Sequence, residues 1–273
     1  MPGLRVVAVG LSSGSDAAAN RAAAVLAVHA AADDGAGLVV LPEYAARFDP
    51  RGVGPVVAEP LDGPFVAALA EVAAARSLVV VAGTVVPGGD GGGGGAEVRA
   101  ANVVVVVGPR GLQGAYRKVH LYDAFGQRES DRFDGGDPAA APLVVEVGGL
   151  GVGVMTCYDL RFPESARRLV DAGAQVLVVP AAWAAGTLKA DHWRTLLRAR
   201  AIENTAYVVG APMCGPGVTG DPIVVDPAGV VLDEATVAGT ATARAQLERA
   251  VLDQVRAANP SLVNRRYGVV PLT

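Results

Sequence analysis

GVGVMTCYDLRFPE, residues Gly151 to Glu164, is the stretch from which the architecture of this chain is read. Val152 and Val154 alternate with glycine in a short apolar run, Cys157 stands just past its end, and Pro163 opens what reads as a helix. This predicts a thiol at a strand-to-helix corner. Open α/β sheets bind ligands at such corners, and the first N–H groups beyond them have no partner within the helix. From this segment alone Cys157 has two readings, a nucleophile or a small hydrophobe packed behind valines.

Upstream, the pattern alternates. Arg5 to Val9 reads as a buried strand, Ser15 as the cap of an Ala-rich helix running to Ala32, and Leu38 to Leu41 as a second strand ending in Pro42 and Glu43. Pro64 to Arg76 is a further helix and Leu78 to Val86 a strand. Asn102 to Val107 and Leu112 to Tyr116 flank Gly108-Pro109-Arg110-Gly111, a hairpin signal. Leu143 to Val147 and Val152 to Met155 form another hairpin around Gly148-Gly149.

Downstream come a helix over Pro163 to Ala172, a strand over Gln175 to Pro180 and a helix over Asp191 to Asn204. Strands follow at Tyr207 to Ala211, Ile223 to Asp226 and Val230 to Leu232, and a final helix at Gln246 to Ala257. No linker interrupts the alternation, so residues 1–273 are expected to form a single domain with sheet sandwiched between helical layers. Two segments fall outside the pattern. Gly88 to Gly95 is a glycine-rich surface turn lacking the residues and following helix of a phosphate loop. Lys118 to Pro138 is irregular and charged, as functional loops in compact domains are.

Composition narrows the function classes. Of 273 residues, 51% are hydrophobic and 18% charged, which supplies a large core and excludes wholesale disorder. A formal net charge of -4 argues against nucleic acid or an anionic membrane as partner. The two cysteines, Cys157 and Cys214, make neither a disulfide framework nor a zinc pattern. The N-terminus lacks the pattern of a signal peptide, and no apolar run reaches spanning length. The cytoplasm is the expected compartment.

LVVLPEY carries Glu43, GAYRKVHLYD carries Lys118 and VGVMTCYDLRFPE carries Cys157, each side chain following an apolar β run. Together they resemble the nitrilase superfamily of carbon-nitrogen hydrolases, with its Glu-Lys-Cys triad. The resemblance extends to Glu129-Ser130, to HWRTLLRARAIENTAYVV from His192 and to VVDPAGVVLDEA from Val224. CYDLRFPE with KVHLYD is most similar to the omega-amidase and deaminated-glutathione amidase branch. The resemblance implies a four-layer α-β-β-α sandwich of the nitrilase type, pairing into a homodimer or higher homo-oligomer. It also implies a thiol amidase acting on a small, carboxylate-bearing aliphatic amide.

The chemistry fits these residue types. A free thiol, with a pKa of about 8.5, is only a few per cent ionised at neutral pH and needs a base. Glu43 is the candidate base, and Lys118 the cation that favours the thiolate and holds the developing oxyanion. The backbone N–H of Tyr158 is the candidate second donor. Glu43 would then protonate the departing ammonia and activate water against a thioester on Cys157. Glu129 resembles the superfamily's additional active-site glutamate, orienting Lys118 or contacting the amide. Trp183 lines the pocket or simply packs. The scheme requires no metal, nucleotide or flavin.

Other readings remain open. His120 is the best candidate for a papain-like Cys-His arrangement, although the resemblance gives it a structural role. Cys214 reads as packing. Arg161 and Arg198 look like ion-pair partners, with Arg161 close enough to Cys157 to bind a substrate carboxylate. The short segment Met213 to Ile223 has Asp221-Pro222 where relatives commonly carry a His-Ser or similar pair, so a pocket rim or a dimer contact is expected to differ. Hydrolysis of an N-carbamoyl compound or a nitrile is the competing reaction, and a silent binding protein the non-enzymatic alternative.

Overall fold

The structure is a computed structural model describing residues 3–89, 99–235 and 241–272. In chain order its first half contains β1 (Leu4–Gly10), α1 (Ala17–Asp33), β2 (Leu38–Val40), α2 (Pro64–Arg76), β3 (Val79–Pro87), β4 (Ala100–Gly108) and β5 (Gly111–Arg117). The second contains β6 (Val144–Val147), β7 (Leu150–Val154), α3 (Pro163–Asp171), β8 (Val176–Ala181), α4 (Lys189–Asn204), β9 (Tyr207–Pro212), β10 (Ile223–Val225), β11 (Val231–Glu234), β12 (Ala241–Leu247) and α5 (Arg249–Ala258).

Two six-stranded sheets result, ordered β12-β1-β2-β3-β4-β5 and β11-β10-β9-β8-β7-β6. Each has three parallel strands at its centre, β1, β2 and β3 in one and β7, β8 and β9 in the other, continued by antiparallel strands at both sides. The period of two in the strands assigns every second residue to a different layer. Val7, Val9 and Val39 pack outward against α1 and α2, whereas Val6, Ala8, Leu38 and Val40 meet Val152, Val154, Val176 and Val178 of the facing sheet. On the far side Leu177, Val179 and Val208 pack with Leu169 of α3 and Trp193 and Leu197 of α4. This is the four-layer α-β-β-α arrangement. Each of these fully buried valines and leucines contributes roughly 1.5–3 kcal/mol.

Four local expectations need correction. Asp16, not Ser15, caps α1, its Oδ1 accepting from the N–H groups of Ala18 and Ala19 at 2.9 and 3.1 Å. Gln246 does not open the last helix. It belongs to β12, which pairs antiparallel with β1 from Leu4↔Leu247 to Gly10↔Ala241, and α5 starts only at Arg249. The helix expected from Asp191 begins two residues earlier, at Lys189. The corner after β7 is not direct either, because a 3₁₀ turn over Cys157–Arg161 intervenes before Pro163 starts α3. The glycine-rich run lies outside the described residues from Asp90 onward.

Strand direction places the functional ends. Because β4 runs antiparallel to both β3 and β5, β5 ends on the same edge as the parallel strands β2 and β3. Glu43, beyond β2, and Lys118, beyond β5, therefore emerge together. The carboxyl ends of β7 and β8 deliver Cys157 and Ala182 from the other sheet.

Candidate active site

Glu43 is held from three sides. Its Oε1 accepts from Lys118 Nζ at 2.9 Å and from Asn102 Nδ2 at 2.7 Å, while Oε2 accepts from the Ala182 N–H at 2.8 Å. β3 passes directly behind it: a Cβ on Gly83 would lie 2.4 Å from Glu43 Cα. Glycine at that position permits the approach. Both Glu43 and Lys118 are buried, at 1% and 2% exposure, so each charge depends on its partners.

Lys118 Nζ lies between two carboxylates, 2.9 Å from Glu43 Oε1 and 2.9 Å from Glu129 Oε2. Burial alone would strip its proton, but Glu129 and Glu43 outweigh that and raise it well above the usual lysine range. It remains an ammonium. Burial likewise pushes Glu129 up, yet Lys118, the Tyr44 hydroxyl at 2.6 Å and the Tyr122 N–H at 2.6 Å bring it down to about 2. Asn102 Nδ2 also reaches Glu129 Oε1 at 2.9 Å and the Tyr44 hydroxyl oxygen at 2.8 Å, joining the two carboxylates in one network.

Cys157 occupies a left-handed backbone conformation, φ 46°, at the start of the 3₁₀ turn. For a residue with a Cβ that conformation is unfavourable and persists only where surroundings enforce it. Asp159 supplies the enforcement. Fully buried, its Oδ2 accepts from the Thr156 N–H at 2.9 Å and the Tyr116 hydroxyl at 2.8 Å, and the Thr156 hydroxyl in turn donates to Pro180 O at 2.8 Å. Burial and then Glu43 push the Cys157 thiol well above its ordinary value, with Lys118 acting in the opposite direction. At neutral pH the sulfur is therefore protonated, beside the Glu43 carboxyl group.

Glu43, Lys118, Glu129, Cys157, Tyr158 and Trp183 all line one cavity of about 510 Å³. Trp183 packs against Trp193 with ring centroids 5.6 Å apart and donates its indole N–H to Lys189 O at 2.8 Å, so it both packs and lines. Gly217 and Val218, from the short segment after Met213, complete the rim. Tyr44, Tyr122, Phe125 and Lys189 also face the cavity. Sequence reasoning missed these four and the buried Asn102. The available signal for Asn102 was a polar residue at the head of a valine run.

His120 stands elsewhere. Its Nδ1 is 2.8 Å from Asp159 Oδ1, its ring stacks on Phe162 at 3.8 Å, and it lines a second cavity that does not include Cys157. Cys214 is buried, with its thiol raised to about 11 by burial. The ion pairs expected of Arg161 and Arg198 are absent among the described residues. Arg198 Nε donates to Gly229 O instead, and Arg161 lines the cavity. Among the described residues no group of three or more His, Cys, Asp and Glu side chains is placed to hold a metal ion, and no helix is long and apolar enough to cross a membrane.

Residues 5–257 match the family model for carbon-nitrogen hydrolases. The chain is 46% identical over 169 residues to the deaminated glutathione amidase of Escherichia coli O157:H7, a match spanning 62% of this chain and 63% of that protein. XC1258 from Xanthomonas campestris, a CN-hydrolase superfamily protein with an arsenic adduct in its active site, superposes with a TM-score of 0.84 at 27% identity, covering 99% of this chain and 100% of that one. A mutant of the amidase from Nesterenkonia sp. AN1, showing Michael addition of acrylamide at the active-site cysteine, superposes with a TM-score of 0.74 at 28% identity, covering 93% and 97%.

Proposed function

The chain belongs to the carbon-nitrogen hydrolase family, and from that premise we propose that it is an amidase in which Glu43, Lys118 and Cys157 form the catalytic triad. The substrate is a small aliphatic amide bearing a carboxylate, and the reaction proceeds through a thioester and releases ammonia. The observation that carries this reading is Lys118 Nζ, 2.9 Å from each of two buried carboxylates in the cavity shared with Cys157. A permanent ammonium beside a protonated thiol, with the Glu43 carboxyl group hydrogen-bonded to that ammonium, suits nucleophilic attack on a carbonyl.

Glu43 takes the thiol proton as Cys157 Sγ bonds to the amide carbon, and the carbonyl electron pair moves onto oxygen. Lys118 Nζ and the Tyr158 N–H, in the first turn after the nucleophile, stabilise that oxyanion. Collapse of the tetrahedral species breaks the C–N bond as protonated Glu43 gives its proton to the nitrogen, and ammonia departs. Glu43, ionised again, deprotonates water as it attacks the thioester. The acid leaves and the proton returns to sulfur. Arg161, in the cavity wall, offers a guanidinium to a carboxylate on the acyl group.

A panel of amides scored for ammonia, with mass spectrometry of the intact chain, tests the reading. Release by wild type, a mass increase on Cys157 and neither in Cys157→Ala support it. Turnover surviving in Cys157→Ala overturns the mechanism, and carbon dioxide accompanying ammonia would reassign the substrate to carbamoyl compounds.

A further inference from the structure

Asn102 heads the valine run of β4 and is fully buried there. Its Nδ2 faces three oxygens, Glu43 Oε1 at 2.7 Å, the Tyr44 hydroxyl at 2.8 Å and Glu129 Oε1 at 2.9 Å, whereas its Oδ1 is buried with no hydrogen-bond partner among the described residues. A buried amide oxygen left unpaired is costly, so the orientation has a reason. Burial, then Glu129 and Glu43, raise the Tyr44 hydroxyl well above the usual phenol range, so it keeps its hydrogen and donates it to Glu129 Oε1 at 2.6 Å. The hydroxyl oxygen can therefore only accept from Asn102, as the two carboxyl oxygens do. Turned the other way, the amide would set Oδ1 against three acceptors.

The donors are divided unequally between the two glutamates. A carboxylate offers about four acceptor sites, two on each oxygen. At Glu129 donors reach both oxygens twice: Tyr44 and Asn102 on Oε1, Lys118 and the Tyr122 N–H on Oε2. At Glu43, Lys118 and Asn102 fill Oε1, but among the described residues Oε2 receives only the Ala182 N–H. The acceptor site left open in the pair is thus on Oε2 of Glu43. Cys157 shares the cavity, and after burial it is Glu43 that raises its thiol most.

We propose that Asn102 is a positioning residue for the base: with Lys118 it closes Oε1, and so leaves Oε2 as the oxygen that exchanges the proton with Cys157. The assignment rests on the reading of Glu43 as that base. The thiol hydrogen passes to Oε2 as the sulfur electron pair bonds to the amide carbon, and it leaves Oε2 for the nitrogen when the C–N bond breaks. Glu129, with every site met, takes no part in the exchange and holds Lys118 instead. Asn102 is not among the residues lining the cavity, so it acts through the carboxyl groups it binds.

Neutron diffraction from crystals of the wild-type chain, with kinetics of Asn102→Leu, Glu43→Gln and the double variant, tests this. The neutron map is expected to show the thiol deuterium directed at Glu43 Oε2 and the Asn102 amide deuteriums directed at the glutamate and tyrosine oxygens. A thiol deuterium on Oε1, or Asn102 Oδ1 facing the carboxyl groups, overturns the proposal, and this arm depends on no variant and no substrate. On a turned-over amide, Asn102→Leu is expected to lower kcat by about 100-fold with KM little changed, the scale on which a displaced catalytic group loses rate. Added to Glu43→Gln, it is expected to lower kcat no further, because its effect passes through the base. An equal loss in both backgrounds would mark a merely structural role and overturns the proposal, as does an unchanged kcat in Asn102→Leu. Wild-type turnover by Glu43→Gln would instead remove the base reading beneath it.

Discussion

Glu43 and Ala182 are joined across the sandwich: the carboxylate Oε2 of the first accepts the backbone N–H of the second at 2.8 Å. One residue follows a strand of the first sheet and the other a strand of the second, so the proposed base is fixed relative to both. With Lys118 and Asn102 occupying its other oxygen, Glu43 has little freedom to swing. Glu43→Gln keeps the size and part of the hydrogen bonding but cannot take a proton. The expected result is a fall in kcat of about 100- to 10,000-fold with KM little changed. Steady-state kinetics on a turned-over amide checks this, and a change confined to KM would remove Glu43 from the chemistry.

The thiol of Cys157 is raised by burial and by Glu43. Its alkylation by iodoacetamide should therefore rise with pH through an inflection above 9. In Glu43→Gln the repulsion between carboxylate and thiolate is gone, so the inflection moves to lower pH. A wild-type inflection at or below neutrality would instead indicate a standing thiolate paired with Lys118.

Glu129, at about 2 in the folded protein against an ordinary 4.5, is a source of acid-sensitive stability. Above pH 4.5 it is ionised in both states, and the native state keeps the full benefit of its partners. As pH falls from 4.5 towards 2 the unfolded chain takes up the proton first and that benefit is lost. Glu129→Gln should cost about 3 kcal/mol near neutrality, as breaking a buried pair does, with the difference from wild type shrinking across this window. Thermal unfolding of both proteins between pH 7 and 3 measures it, and parallel curves would contradict it.

Gly83→Ala would place a Cβ 2.4 Å from Glu43 Cα and 2.7 Å from Tyr44 N, so the turn carrying the base must shift. Overpacking of this kind costs about 1–3 kcal/mol, whereas displacing a catalytic group by about 1 Å costs on the order of 100-fold in rate. The expected variant is folded, with Tm modestly lowered and kcat reduced far more. Unchanged kcat with an intact fold would show that the turn absorbs the methyl group freely.

Most of the sheet framework was legible because valine runs such as Val103 to Val107 carry a strand signal that needs no tertiary help. β12 was not, because ATARAQL lacks that signal and gains its conformation from seven paired positions along β1. The three proposed catalytic residues stood at the ends of apolar runs, where motif and position agreed. Asn102, Tyr44 and Lys189 did not: a polar residue inside a strand, a tyrosine at a turn with φ 57° and a lysine beginning a helix acquire meaning only from what lies across the fold. Spacing along the chain does not encode those distances.

Glu43 and Lys118 hang from one sheet and Cys157 from the other, with Val40, Val81, Val154 and Val178 filling the space between. That aliphatic layer therefore acts as a spacer gauge for the proton's path, and its thickness, about 10 Å from sheet to sheet, is set by side chains that touch no substrate. A methylene added or removed there works as a shim beneath the active site. The turnover rate of such variants would report on the fit of the two halves of the sandwich.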